Sequence, residues 1–155
     1  HVEIVEWAFE RYEAAGLELP DDTTVAFFDS TEPCEGNQGT VREERGHEVY
    51  ICVGDDEPNQ QEHVLLHELA HLWTDHSMGA ATRNDFLAFR GADNWNDRSV
   101  DWWNRGTEQA AEVVTWGLLD RDPGFQRIND RVCETMLEGF EILTGSTPVN
   151  PTIDC

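Results

Sequence analysis

The chain has 155 residues with 32 acidic and 10 basic side chains, which give a formal net charge of −22. Such an acidic surface repels phosphates, so the composition argues against a nucleic-acid-binding protein. Hydrophobic residues make up 39% of the chain and six residues are tryptophan, which predicts one folded domain over residues 1–155. No stretch reaches the roughly 18 apolar residues that a membrane-spanning helix needs. The first residue is His1 rather than Met and no signal peptide is visible, so we expect a trimmed form of the chain.

The first third of the chain is predicted to contain one helix followed by extended segments. Apolar residues at helical spacing predict a helix over Val2–Ala15. A β-rich run predicts a strand at Thr24–Phe28, and a loop with proline and glycine follows at Asp29–Thr40. Val41 and then His47–Val53 form a second strand region, in which apolar residues alternate with others as in a half-buried strand.

The strand at His47–Val53 leads into the next helix, and its pairing matters for function. If its outer edge is unpaired, an extended peptide can add to that edge. If it is paired on both sides, it is an interior strand of the sheet. The sequence leaves both alternatives open.

The segment Gln60–His76 predicts a helix that carries an H-E-x-x-H motif at His67, Glu68 and His71. Residues four apart lie on one helix face with Cβ atoms about 5–6 Å apart, so the two imidazoles can bind one metal ion. Glu68 lies one step round the helix, where its carboxylate can reach a water molecule at the metal without being a ligand. The alternative is two surface histidines on an ordinary helix. The apolar run around the motif argues against it, because unpaired buried histidines would need partners.

Two segments follow the motif before the next informative helix. Apolar spacing predicts a short helix at Arg83–Arg90. Gly91–Arg105 is predicted to be a loop and contains Trp95, Trp102 and Trp103. Tryptophans in such a loop either fill the core or, where the loop crosses a cleft, hold a substrate.

A further helix is predicted over Thr107–Leu119, and Thr107 itself could cap it. Glu108 and Glu112 lie four residues apart on one face of this otherwise apolar helix. A buried acidic residue needs a partner, and a metal ion is one such partner. A catalytic zinc ion held by two histidines commonly takes a carboxylate as its third protein ligand.

The C-terminal part of the chain is predicted to contain one long helix at Pro123–Leu143, with proline near its start and apolar residues at helical spacing. The tail from Thr147 to Cys155 shows no periodicity.

The chain contains four cysteines, at positions 34, 52, 133 and 155, and no C-x-x-C pair. In a small acidic chain this pattern predicts two disulfides and export from the cytosol. Three pairings are possible. We prefer Cys34–Cys52, which would join a loop to a strand, and Cys133–Cys155, which would tie the tail to the last helix. The alternative is a cytosolic protein with buried free thiols. With the preferred pairing we expect a secreted or extracytoplasmic protein.

An H-E-x-x-H motif followed on a later helix by E-x-x-A-[DE], here Glu108 to Glu112, resembles the gluzincin branch of zinc metallopeptidases. It is similar to minimal zincins, to the membrane-associated H-E-x-x-H peptidases and to the ImmA/IrrE-like regulatory peptidases. The resemblance implies Zn²⁺ ligands at His67, His71 and Glu108, a general base at Glu68, and support of a ligand histidine by Glu112. Glu112 stands where aspartate is more usual. The metzincin pattern does not fit, because its third histidine would fall at Ser77, one residue beyond His76.

We therefore predict an α+β, zincin-like fold in which several helices, with the H-E-x-x-H helix at the centre, pack on a small, mostly antiparallel sheet. The predicted function is a zinc-dependent endopeptidase or another metal-assisted amide hydrolase, with Glu68 as the base that takes the proton of the attacking water. The sequence does not determine the group that stabilises the oxyanion. Tyr50 and His76 are the favoured candidates, and the others are His47, Arg90 and Arg105.

The alternative function is a non-catalytic, acidic secreted binding or structural module that keeps a zincin-like fold. The intact Glu68 argues against it, because a purely structural zinc site does not need a base. We expect a peptide or protein substrate and no nucleic-acid partner. The charge of −22 reflects either solubility in high salt or a preference for cationic substrates.

Overall fold

The computed structural model describes residues 1–42, 46–54, 58–122 and 128–155. In these ranges the chain forms five α-helices and three strands, which define an α+β fold. In chain order the elements are α1 (Val2–Ala14), β1 (Thr24–Phe27), β2 (Gly39–Arg42), β3 (Glu48–Ile51), α2 (Pro58–Ser77), α3 (Ala80–Arg90), α4 (Gly106–Leu118) and α5 (Cys133–Thr144), with 3₁₀ turns at Glu32–Cys34 and Trp102–Asn104. Among these described helices, none is both long enough and apolar enough to cross a membrane.

The three strands form one mixed sheet in the order β1-β3-β2. Tyr50 of β3 lies opposite Thr40 in the antiparallel β2 and opposite Ala26 in the parallel β1. The expectation of a mostly antiparallel sheet is therefore wrong. The chain runs along β1, returns along β2 and then inserts β3 between them, so β1 and β3 point the same way. β3 is thus an interior strand, and within the described ranges the unpaired edge on the α2 side belongs to β2.

α2 lies at the centre of the domain, where it packs against α1, α4, β2 and β3. Its Leu65, Leu66 and Leu69 are completely buried, and burial of this apolar surface is the main force that fixes the helix in place. Every residue of α4 except Glu108 is buried. Ala110 and Ala111 of α4 are small, which lets the two helices approach each other closely.

The C-terminal helix α5 begins at Cys133, later than the predicted start at Pro123. Residues 123–127 lie outside the described ranges, so that part of the prediction is not tested. Asp130 has a left-handed backbone conformation with φ of 50°, which a right-handed helix does not contain. The Asp130 carbonyl oxygen accepts a hydrogen bond from the Arg90 guanidinium (3.1 Å). The helical spacing of the apolar residues therefore extends further towards the N terminus than the helix itself.

Both preferred disulfides, Cys34–Cys52 and Cys133–Cys155, are present, and no cysteine is free. The first joins the 3₁₀ turn before β2 to the residue after β3. The second ties the last residue of the chain to the first residue of α5. The alternative of free thiols is therefore wrong, and two disulfides are compatible with an extracellular location.

Candidate metal centre

The helices α2 and α4 bring the three predicted ligands to one point. α2 carries His67 and His71 one turn apart, and α4 carries Glu108 in its first turn. Glu108 Oε2 lies 3.2 Å from His67 Nε2 and 3.1 Å from His71 Nε2, and the two Nε2 atoms are 3.1 Å apart. The three atoms form a nearly equilateral triangle, and these residues could hold a metal ion.

The size of this triangle fits a tetrahedral metal site. Zn–N bonds of about 2.0–2.1 Å at tetrahedral angles separate neighbouring ligand atoms by about 3.3–3.4 Å. The observed separations of 3.1 and 3.2 Å are close to that value. Two imidazoles and one carboxylate suit several divalent transition metals, and zinc is one of them.

The opposite ring nitrogens face oxygen atoms. His71 Nδ1 lies 3.1 Å from Thr107 Oγ1, and His67 Nδ1 lies 3.3 Å from Glu112 Oε1. The second contact is bent, so the buried His67 Nδ1 has no partner at hydrogen-bond geometry. We assign the ring proton of each neutral histidine to Nδ1, which directs both Nε2 lone pairs towards Glu108. The two Nε2 atoms and Glu108 Oε2 all present electron pairs to one another, so they repel unless a cation lies between them. Residues such as Thr107 and Glu112, which face the opposite ring nitrogens, are typical of the surroundings of a metal centre.

The charges of the site shift the pKa values of its residues. Burial alone would lower the pKa of His67, but Glu108 and Glu112 beside its ring raise it to about 10. Burial would raise the pKa of Glu108, but His67 and His71 lower it to about 2. Burial would also raise the pKa of Glu112, but His63 and His67 lower it. Without a metal the site therefore holds a proton, which a bound cation would displace.

Glu68 lies beneath the edge strand β2 and lines the same cleft as the ligands. A Cβ atom on Gly39 of β2 would lie 2.6 Å from Glu68 Cγ and 2.8 Å from Glu68 Oε1. Only glycine allows the strand to approach this closely. Burial raises the pKa of Glu68 above its ordinary value, which makes its carboxylate a stronger base. The backbone of β2 thus holds a basic carboxylate in the metal-site cleft.

The candidate ligands lie in a cleft of about 1120 Å³. The lining includes residues 35–41, which contain most of β2, and also Asn96 and Trp102. The Trp102 ring stacks on His67 with 5.5 Å between ring centroids and 20° between the planes. Of the two roles considered for the loop tryptophans, Trp102 is a cleft residue, whereas Trp95 packs against the core.

The structure does not bring the two favoured oxyanion stabilisers, Tyr50 and His76, to this cleft. The Tyr50 hydroxyl donates to the Glu48 carboxylate (2.9 Å). The His76 ring lies edge-on to His47, with 5.7 Å between centroids. Neither residue lines the cleft, whereas Arg105, one of the other candidates, does.

Two residues near the ligands have roles that the sequence-based prediction lacks. His63 lies one turn before His67 on α2, lines the cleft, and places its Nε2 atom 3.6 Å from Glu112 Oε1. The sequence could have indicated this position, because His63 is four residues before His67 and residues at that spacing share a helix face. Thr107 was expected to cap α4, but it lies within the first turn and its hydroxyl contacts His71 instead.

No protein-family model and no curated protein matches this chain, and no solved structure matches its fold. The function must therefore be argued from the residues of the site.

Proposed function

We propose that this chain is a zinc-dependent metallopeptidase of the gluzincin type, with a zincin-like fold. The observation that carries the proposal is the convergence of His67, His71 and Glu108 on one point, in the same cleft as the buried carboxylate of Glu68. Two imidazoles, a carboxylate and a base beside an open cleft are the parts of a catalytic zinc site. A structural zinc site is usually closed by four protein ligands and has no use for such a base.

In the proposed reaction Glu68 is the general base. A bound zinc ion would supply polarisation of the scissile carbonyl group and a lower pKa for water. Glu68 takes a proton from the attacking water and delivers it to the amide nitrogen as the C–N bond breaks. Its raised pKa suits the second step, in which the protonated carboxyl group is the donor. On the opposite side of the rings, Thr107 would orient His71 by a hydrogen bond, and the Glu112 carboxylate would attract the His67 ring by its charge.

The edge strand β2 offers a place for a peptide substrate. In the described ranges β2 pairs with β3 alone, and an extended peptide that adds to its other edge would run along the cleft. The residues of α2 that line the cleft extend from Asn59 to Asp75, which corresponds to about 24 Å of helix. That length accommodates about seven extended residues and supports cleavage within a chain, as by an endopeptidase. The two disulfides support a location outside the cytosol.

The test combines zinc content with hydrolysis of a peptide library. The wild-type protein, loaded with zinc at neutral pH, is expected to bind about one ion per chain and to cleave peptides. Glu68→Gln is expected to keep the metal and to lose activity by about 10²–10⁴-fold, because an amide cannot accept the proton. Glu108→Ala is expected to lose both metal and activity. Glu141→Gln removes one carboxylate from an exposed position of α5 and serves as the matched control.

The outcomes separate the alternatives. Hydrolysis by Glu68→Gln at the wild-type rate would show that the base is assigned wrongly. Stable zinc binding by a wild-type protein that cleaves no peptide would favour the non-catalytic secreted module. Failure of the wild type to bind zinc would contradict the proposal as a whole.

A further inference from the structure

The arginines of this protein mostly hold the fold together. The chain has no lysine, and eight of its ten arginines lie in the described ranges. Arg11, for example, donates to three backbone carbonyl oxygens, and Arg121 forms an ion pair with Glu62 at 2.6 Å. The arginines that interact with other groups are Arg11, Arg42, Arg83, Arg90, Arg105, Arg121 and Arg131. Arg98 is the exception among the described arginines, because its exposed guanidinium has no polar partner.

Arg98 lines the cleft of the candidate metal centre, where four of the carboxylates have other partners. Glu35 pairs with Arg42 at 2.8 Å, and Asp75 pairs with Arg83 at 3.3 Å. The two carboxylates that α4 contributes face histidines. In a protein with a net charge of −22, an arginine that stays unpaired in a cleft with several acidic residues leaves its charge available to a ligand.

The loop that carries Arg98 is held in shape by hydrogen bonds on both sides of it. Arg105 donates from Nε and Nη2 to the Val100 carbonyl oxygen, at 3.3 and 3.2 Å, and from Nη2 to the Arg98 carbonyl oxygen at 3.5 Å. The Asp97 carboxylate accepts a hydrogen bond from the Ser99 backbone N–H at 2.8 Å. Because the backbone around Arg98 is fixed in this way, less loop freedom would be lost when a ligand binds.

We infer that Arg98 binds a carboxylate group of the peptide substrate. Arg98 and Trp102 line the same cleft, and Trp102 stacks on the candidate ligand His67, so the bound carboxylate would belong to a peptide that lies in the cleft of the candidate metal centre. A guanidinium group matches a carboxylate with two parallel hydrogen bonds. The carboxylate belongs either to an aspartate or glutamate side chain or to the C terminus of the substrate. This inference rests on the proposed function and specifies its substrate class.

The inference differs from what the net charge alone would indicate. An acidic surface attracts cationic partners at long range, but salt screens such interactions beyond about 8 Å at physiological ionic strength. A contact between Arg98 and a bound carboxylate is much shorter than this distance. The overall charge therefore affects how fast a substrate approaches, and the cleft decides which peptide is cleaved.

The test compares zinc-loaded wild type, Arg98→Ala and Arg131→Ala. Arg131 lies outside the cleft lining, so the last variant changes the net charge equally and is the matched control. The substrates are matched peptide libraries in which one scanned position carries Glu, Gln or Lys, each made with a free and with an amidated C terminus. We expect the wild type and Arg131→Ala to prefer one form of carboxylate by about fivefold in kcat/KM, and Arg98→Ala to lose that preference. Preference for Glu identifies a side chain, and preference for the free acid identifies the C terminus.

Binding to Glu68→Gln distinguishes failure of this inference from failure of the proposed function. The dissociation constants of the same peptides are measured by fluorescence anisotropy for Glu68→Gln with and without Arg98→Ala. If the wild type cleaves peptides but neither cleavage nor binding depends on a carboxylate and on Arg98, the inference is overturned and the function stands. If no peptide is cleaved but Arg98-dependent binding of carboxylate peptides is observed, the carboxylate site stands and the peptidase proposal fails.

Discussion

At the scale of single residues, Glu112 connects the metal ligands with the rest of the cleft. Its Oε1 atom lies 3.3 Å from His67 Nδ1 and 3.6 Å from His63 Nε2. In the zinc-peptidase families whose E-x-x-A-[DE] motif this segment resembles, aspartate is more usual at this position. The additional methylene group of glutamate lets one buried carboxylate on α4 reach two histidines on successive turns of α2. The Glu112 carboxylate thereby lies between the candidate ligand His67 and the His63 imidazole, which lines the cleft.

Gly39 determines how closely β2 approaches the proposed general base. Gly39→Ala would place a Cβ atom 2.6 Å from Glu68 Cγ and 2.8 Å from Val64 Cγ1, so the carboxylate must move. We expect kcat to fall by about 10–100-fold, because small displacements of a catalytic group are costly, while zinc content stays unchanged. Steady-state kinetics and metal analysis check this. Gly79→Ala is the control, since an added Cβ there meets nothing within 4 Å. An unchanged kcat in a stable Gly39→Ala protein would mean that Glu68 is not held by β2.

At the scale of elements, the sequence predicts what depends on local spacing. The ranges of α1, α2 and α4 agree with the predictions to within two residues, because their apolar faces repeat at helical spacing. The ligand triangle also follows from spacing, once α2 and α4 are taken to pack together. The partners of each strand depend on contacts between distant residues, so the parallel pairing of β1 with β3 was missed. The start of α5 was missed because Arg90, which lies far away in sequence, binds a carbonyl group just before that helix.

The positions of Trp102 and Arg98 in the cleft could not be predicted from the sequence either, because they also depend on more than local spacing. Both belong to a segment that is mostly irregular, so neither has a helix or strand spacing from which its direction follows. Their place is set by hydrogen bonds within the segment and from Arg105. That Tyr50 and His76 do not line the cleft has a related cause, since the chemical suitability of a side chain does not determine where it lies.

The two disulfides are expected to differ in their effect on activity. They close loops of similar sequence separation, 18 and 22 residues, so removing either pair should cost about 2–4 kcal/mol of stability. Cys34–Cys52 flanks the cleft wall at 35–41, whereas neither Cys133 nor Cys155 is next to a residue that lines the cleft. We expect Cys34→Ser/Cys52→Ser to lower kcat/KM of the folded protein and Cys133→Ser/Cys155→Ser to leave it unchanged. Thermal unfolding and kinetics at a temperature where both variants are folded check this. Equal loss of kcat/KM in both would contradict it.

At the scale of the whole molecule, metal binding and stability should be linked through pH. In the metal-free protein the pKa of His67 is raised from 6.5 to about 10. A raised pKa contributes stability that is complete below pH 6.5 and is lost as pH rises towards 10. Glu108, whose pKa is lowered to about 2, stays charged throughout this range and adds no slope.

We therefore expect the Tm of chelator-treated protein to fall between pH 6.5 and 10. The Tm of zinc-loaded protein should fall much less, because the metal takes the place of the proton. Calorimetry of both forms over this pH range is the measurement. His67→Gln, treated with chelator, is the control and should lack the alkaline loss. Parallel curves for the metal-free and zinc-loaded forms would show that His67 is not a ligand.

Because most of the described arginines interact with other groups of the fold, the protein should also resist trypsin-like proteases. Trypsin-like enzymes need an accessible lysine or arginine, and this chain has no lysine. Of the arginines in the described ranges, seven interact with other groups, and the guanidinium of Arg98 alone has no polar partner. The described ranges of the folded chain therefore offer few sites to such enzymes, and the exposed Arg98 is one of them. A peptide bound at the proposed carboxylate site would cover Arg98, so peptide binding would protect this site from digestion.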